Sequence, residues 1–122
     1  MGTLAKQLLS NSVSGRQVLV TSLTAVTATT IHTTLSGSSN LDEIWLYAYN
    51  SSQSDVVLTL IWGPGSLGSV QDRDEVKSTI PSQSGRTLIA NGKLLQNGLT
   101  VYSYATIASS INIDGFVNRY TY

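Results

Sequence analysis

The chain has 122 residues, seven basic against seven acidic side chains, and no cysteine. That length sets one domain of ordinary size, able to bury a core without staples. Zero net charge removes the positive field that a phosphate backbone demands, and the missing cysteines exclude disulfides and thiolate metal sites.

Only 11% of the residues are charged, against about 25% ordinarily. Serine and threonine, 32 together, fill the gap and favour short strands over helices. A near-neutral surface opposes self-association weakly, so incorporation into a larger assembly is expected. No apolar run approaches the roughly 20 residues that span a bilayer, and no membrane partner is expected. Residues 1–6 have no basic leader with a long apolar core, so no signal peptide is expected. Gly2 follows Met1, but Lys6 stands where a myristoylation motif needs Ser or Thr.

In chain order, residues 3–9 suit a short helical turn or an arm, and Ser10 to Gly15 is a polar linker. Residues 1–15 are therefore expected as an N-terminal arm, and residues 16–122 as a single domain. Residues 17–24 and the threonine-rich 28–35 alternate as strands do, and 36–40 form a turn. Residues 41–63 place two apolar, aromatic runs around the polar loop Ser51–Ser54, which predicts a central hairpin. Ile44, Leu46 and Ala48 share one face of its first strand, and Trp45, Tyr47 and Tyr49 the other. Both faces of both runs are largely apolar, so cover on both sides is expected.

Residues 63–75 form the longest irregular stretch, an excursion at one end of the fold. Residues 75–80 predict a strand closed by Pro81. Asn91-Gly92 between apolar runs predicts a tight hairpin, since both turn residues need positive φ, and a second pair, Asn97-Gly98, launches residues 99–106. Gly115 inside the last strand, residues 111–122, predicts a bulge or bend. Eight or nine short strands without a useful helix predict an all-β fold, an antiparallel β-sandwich of jelly-roll or Greek-key type.

No residue pattern points to catalysis, a cofactor or a metal. His32 is the single histidine and has no partner nearby in sequence, which favours a structural role. Asp42 and Glu43 are adjacent and point to opposite faces of a strand, so they serve poorly as a glycosidase pair and better as charges opening it. Asp72-Arg73-Asp74-Glu75 lacks the spacing and central glycine of a calcium loop and reads as a solvated loop or subunit salt bridge. Gly63-Pro64-Gly65-Ser66-Leu67-Gly68 lacks the Lys-Ser/Thr of a phosphate cradle. Asn50-Ser51-Ser52 matches a glycosylation sequon, which has little meaning without secretion. Trp45, Tyr47 and Tyr49, with Tyr102 and Tyr104, could form a sugar-stacking platform. Alternating aromatics more commonly serve as sandwich core or subunit interface.

The C-terminal third carries a resemblance. Ile80-Pro81, Gly85-Arg86, Asn91-Gly92, the run Asn97 to Ala105 and the ending Ile111 to Val117 are similar, in outline, to small β-sandwich virion proteins of tailed bacteriophages. Over residues 80–122 the chain resembles capsid decoration (cement) proteins and related head or tail accessory subunits. The resemblance implies a non-enzymatic structural protein of the virion, assembled in the host cytoplasm, that oligomerises as a homotrimer and stabilises the lattice of the major capsid protein. A neck, tail or fibre component is the alternative within that class, and a carbohydrate-binding module the alternative outside it. The matching positions are turn and core residues, so no binding residue is carried over.

Assembly contacts are instead expected from the segments least committed to the sandwich. These are Leu4 and Leu8 in the arm, Leu67, Asp72, Arg73 and Asp74 in the excursion, and Tyr120 and Tyr122 at the chain end.

Overall fold

Along β4 (Asn40–Asn50) every second side chain, from Asp42 through Ile44, Leu46 and Ala48 to Asn50, is buried, and those between are half exposed. That period of two is what a strand produces when one face meets a core and the other does not. A computed structural model describes residues 2–64 and 66–122. The other strands are β1 (Thr3–Gln7), β2 (Val18–Val20), β3 (Thr29–Thr33), β5 (Val56–Trp62), β6 (Glu75–Ile80), β7 (Thr87–Leu95), β8 (Thr100–Ala105) and β9 (Ile111–Thr121).

The strands form two antiparallel sheets. Sheet A runs β1-β9-β4-β7, with β2 also on β9, and sheet B runs β3-β8-β5-β6. Among the described residues only β5 and β6 are consecutive strands paired with each other. Every other link from β2 to β9 carries the chain from one sheet to the other, which is jelly-roll connectivity. β1 is an addition to those eight strands. It takes the half of the β9 edge, Val117–Thr121, that β2 on Ile111–Ile113 leaves open.

Between the sheets lie Val20, Ile31, Ile44, Leu46, Leu58, Leu60, Ile80, Val101, Ile111, Ile113 and Val117, all essentially inaccessible to water. Burying each such aliphatic side chain is worth about 1.5–3 kcal/mol relative to leaving it exposed. Sheet B is also covered outside β5, where Thr59 and Ile61 are buried. There Lys77 donates to Thr59 Oγ1 and to Tyr104 OH, each at 3.3 Å, and Tyr104 OH donates to Glu75 Oε2 at 3.0 Å. The outward residues of β4 have no such cover, so the expectation of two covered faces holds for the second apolar run and not for the first.

Three local expectations are corrected. The two runs of residues 41–63 are not a hairpin: β4 pairs with β7 and β9, β5 with β6 and β8. The turn between them is an arch from sheet to sheet, held by the buried Asn50. Its Nδ2 donates to the carbonyls of Ser54 and Ile80 at 2.8 and 2.9 Å, and its Oδ1 accepts from the Ser52 N–H at 2.9 Å.

Asn91-Gly92 is not a hairpin turn either. β7 runs straight through it, and Gly92, at φ +86°, is the extra residue of a bulge between the pairs Trp45–Asn91 and Ile44–Lys93. A Cβ on Gly92 would press on the Trp45 ring at 3.3 Å, so the missing side chain makes room for the indole. Gly115, finally, lies in unbroken register opposite Leu46. A Cβ there would run into the Trp45 carbonyl oxygen, so this glycine permits a close backbone approach and not a bulge.

Two substitutions test this packing. Leu60→Ala is expected to cost about 2–5 kcal/mol in chemical denaturation, the range for an aliphatic deletion in a close-packed core. Gly92→Val is expected to cost about 1–3 kcal/mol, from positive φ on a β-branched residue, and to alter the Trp45 fluorescence. An unchanged melting curve for Gly92→Val would place the indole elsewhere.

Candidate functional site

Two features stand out once the core is set aside: an uncovered face on sheet A and a buried ionic bridge behind it. The face follows from register. Leu4, Tyr120 and Leu41 form one row across β1, β9 and β4, and Lys6, Asn118, Glu43 and Leu94 the next. Phe116, Trp45 and Asn91 follow, then Asp114, Tyr47 and Leu88. Leu4 is 67% exposed, Leu94 55% and Leu88 47%.

The aromatic rings on this face are not free platforms. Trp45 and Phe116 stack on each other, centroids 6.1 Å apart and planes 10° from parallel. Lys6 Nζ sits 4.6 Å from the Phe116 centroid, and the backbone of Gly92 lies beside Trp45. The Arg86 guanidinium lies 4.2 Å from the centroid of Tyr47 and pairs with Asp114 at 3.1 Å. Glu43 Oε1 accepts from Trp45 Nε1 at 2.7 Å and from Asn118 Nδ2 at 3.0 Å, bonds that hold its carboxyl below the usual carboxylate range. The Phe116 ring and the Gly92 backbone thus flank Trp45 where a sugar would stack, and Arg86 occupies one face of Tyr47. Tyr49 is half buried on the same face, opposite Asn112.

The bridge lies at the same end of the sheet, facing inward. Asp42 on β4 and His32 on β3 are each 1% exposed, and Asp42 Oδ2 is 2.7 Å from His32 Nε2. Arg119 on β9, the cross-strand partner of Asp42, donates through Nε to Oδ1 at 2.8 Å and through Nη2 to Oδ2 at 3.0 Å. The Ser10 N–H donates to His32 Nδ1 at 2.9 Å. A nitrogen that accepts carries no proton, so Nε2 carries it and donates to Asp42, and the imidazole is neutral. Burial lowers the His32 pKa from its ordinary 6.5, outweighing the pull of Asp42. Burial acts to raise the Asp42 pKa, but the bonds from Arg119 and His32 outweigh it and hold it below the ordinary 3.8.

The residues expected as assembly contacts fall into two groups. Leu4 and Tyr120 are directly opposite on β1 and β9, and Tyr120 meets Tyr122 edge to face with centroids 5.2 Å apart. Leu8 lies just past β1, half exposed and close to Gly15. Leu67, Asp72, Arg73 and Asp74 belong instead to the β5–β6 connection in sheet B, as two single 3-10 turns. Asp72 and Arg73 are exposed, whereas Asp74 Oδ2 accepts from the Gln71 N–H at 3.0 Å. Gly65, within that connection, lies outside the described residues.

His32 has the structural setting expected of it. The bridge itself was missed: Asp42 is not a charge at the mouth of a strand but a buried ion. Its signal was parity, since Asp42 shares the inward face with Ile44, and Arg119 with Val117. Among the described residues no group of acidic, His or Cys side chains is placed to hold a metal ion, and no pocket opens in the surface. No protein-family model, curated protein or solved structure matches the chain.

The bridge predicts a pH response with a definite sign. Both groups have folded-state pKa values below their unfolded ones, so the unfolded chain binds protons more readily and stability decreases as the pH is lowered. The His32 contribution is present above pH 6.5 and is lost as pH falls below it, and the Asp42 contribution is lost below 3.8. Thermal melts should be flat above neutrality and then drop in two stages. His32→Gln should melt lower at neutral pH yet lose the upper stage. A parent melting temperature that stays constant through the histidine range would mean that His32 is not a buried neutral group.

Proposed function

We propose that the chain is a non-enzymatic structural subunit of a virus particle, a decoration protein that associates with copies of itself and stabilises a capsid lattice. The observation that supports this reading most is the outer face of sheet A. It is an uncovered surface, without a pocket among the described residues, where exposed leucines and half-buried aromatic rings stand beside the Arg86–Asp114 ion pair. Arg86 and Asp114 are paired within the chain, and Glu43 is bonded by Trp45 and Asn118. A partner would therefore gain chiefly by excluding water around the leucines and the ring edges, while Lys6 and Glu43 stay in contact with solvent. The likeness of residues 80–122 to small phage virion proteins supplies the particle, and the exposed arm supplies a second point of attachment.

The sugar-binding reading loses support on the same face, because stacking needs an open ring face and those of Trp45 are filled. Trp45, Tyr47 and Phe116 act here as a stiff, half-dry foundation for contacts made by their edges and by the leucines beside them.

Co-sedimentation with shells of the major capsid protein tests the proposal. The parent chain should travel with shells and raise their resistance to heat. Leu88→Lys/Leu94→Lys, which changes two exposed side chains, should bind at least tenfold more weakly while melting near the parent. A chain that stays monomeric, ignores shells and binds immobilised glycans would overturn the reading in favour of a carbohydrate-binding module.

A further inference from the structure

We propose that β1 is an exchangeable strand, and that its acceptor in the assembly is the β9 edge of a second copy of this chain. The proposal takes from the assembly reading only that copies lie side by side, and it names the element they share.

β1 is held in sheet A by its ladder and by the contact of Lys6 with Phe116, and places no side chain in the core. All five of its residues, Thr3 to Gln7, are exposed, including those that point toward the sandwich interior. What anchors the N-terminal region comes afterwards. Leu9 is 1% exposed and part of the core. Ser10 bonds His32 through its N–H and accepts at Oγ from the Thr33 N–H at 2.8 Å. Asn11 donates to the carbonyls of Ile31 and Thr30 at 3.3 and 2.6 Å. The arm can therefore leave its place without disturbing one core side chain, and Leu8 is the only residue between the strand and the anchor.

Its departure would uncover the backbone of Val117–Thr121 at a sheet edge, which demands another strand. The other edges of the sandwich are less receptive. β7 is broken by two bulges, β3 carries a bulge and is capped by Ser10 and Asn11, and β6 presents Lys77 at mid-edge. The β9 edge, in contrast, is shaped for this one segment. Leu4 falls opposite Tyr120, Lys6 reaches the Phe116 ring, and Gly2 passes beside the end of the Tyr120 ring, which would have to move aside for a Cβ there.

A second copy offers the same segment in the same register, so exchange preserves every contact and its balance is set by concentration. Neither copy carries net charge to oppose the approach. Gln7, which meets Val117, lies two residues before Leu9, about 7 Å of extended chain, so in the same register the acceptor's Val117 must lie close beside the donor's Leu9. Exchange would thus lock neighbours flank to flank along β1 and β2, leaving the face of sheet A free for the lattice.

The chain has no cysteine, which makes the test clean. Directly opposed residues on antiparallel strands stand close enough for a disulfide. Full-length Leu4→Cys and Tyr120→Cys variants, one carrying a mass tag, are mixed and gently oxidised. Exchange predicts the mixed disulfide well above the half that random collision yields, and covalent multimers from the double variant Leu4→Cys/Tyr120→Cys. Thr3→Cys with Thr121→Cys, one register step away, repeats the test should the loss of Tyr120 loosen the arm. Only internally cross-linked monomer from both double variants, while the parent still sediments as an oligomer and binds shells, would overturn the exchange and leave the assembly reading standing. A parent that is monomeric at its highest soluble concentration would overturn both.

Discussion

The buried carboxylate of Asp42 is the constraint around which the sandwich closes. An ion taken out of water costs several kcal/mol unless partners replace its hydration. Here they come from three directions: Arg119 across the ladder from β9, His32 from β3 in the opposite sheet, and through His32 the backbone of Ser10. One residue thereby ties the two longest strands together, joins sheet A to sheet B and pins the strap that follows the arm. Slipping β9 by one residue would turn Arg119 to the outside and strand Asp42 without its cation. The same slip would turn Ile111, Ile113 and Val117 out of the core. A slip of two residues would keep those three inside and still part Arg119 from Asp42, so the bridge adds a selection that the aliphatic side chains do not make.

The close approach at Gly115 complements that selection from the other side. Its lack of a Cβ lets β9 lie against the Trp45 carbonyl, and the neighbouring residue, Phe116, then stacks on the indole. Gly92 plays the matching part on β7, yielding space to the opposite side of the same ring. Two glycines on different strands thus flank one tryptophan, and the bulge that Gly92 introduces also disrupts an edge that could otherwise template aggregation.

Most of this fold was legible in the sequence as a set of strands, and little of it as a set of pairings. The period-two pattern of β4 and β5 marked both as central, and the buried Ile44, Leu46, Leu58 and Leu60 follow from it directly. What the pattern does not carry is whether the next strand returns to the same sheet. A polar loop between apolar runs serves a hairpin and an arch equally well, and here the choice rests on Asn50 reaching the carbonyl of Ile80, thirty residues away. Positive φ at Gly92 was similarly legible, but the tight turn demands it of Asn91 as well, and Asn91 does not have it: the bulge needs it of the glycine alone. The aromatic face was visible as alternation. The cations that fill it, Lys6 and Arg86, stand far off in the chain.

The occupied rings also bear on what kind of surface this is. An aromatic platform that awaits a ligand keeps its ring faces open and its polar groups unpaired, ready to bond. On sheet A the reverse holds: Glu43 is already engaged by Trp45 and Asn118, and Arg86 by Asp114 and Tyr47. A partner that met this face would find Glu43, Arg86 and Asp114 already engaged. It would gain chiefly from excluding water around Leu4, Leu88, Leu94 and the ring edges. Such contacts are individually weak and tolerant of small misfits, and they become decisive only when many copies make them at once. Zero net charge leaves no long-range repulsion between copies of the chain to oppose such contacts.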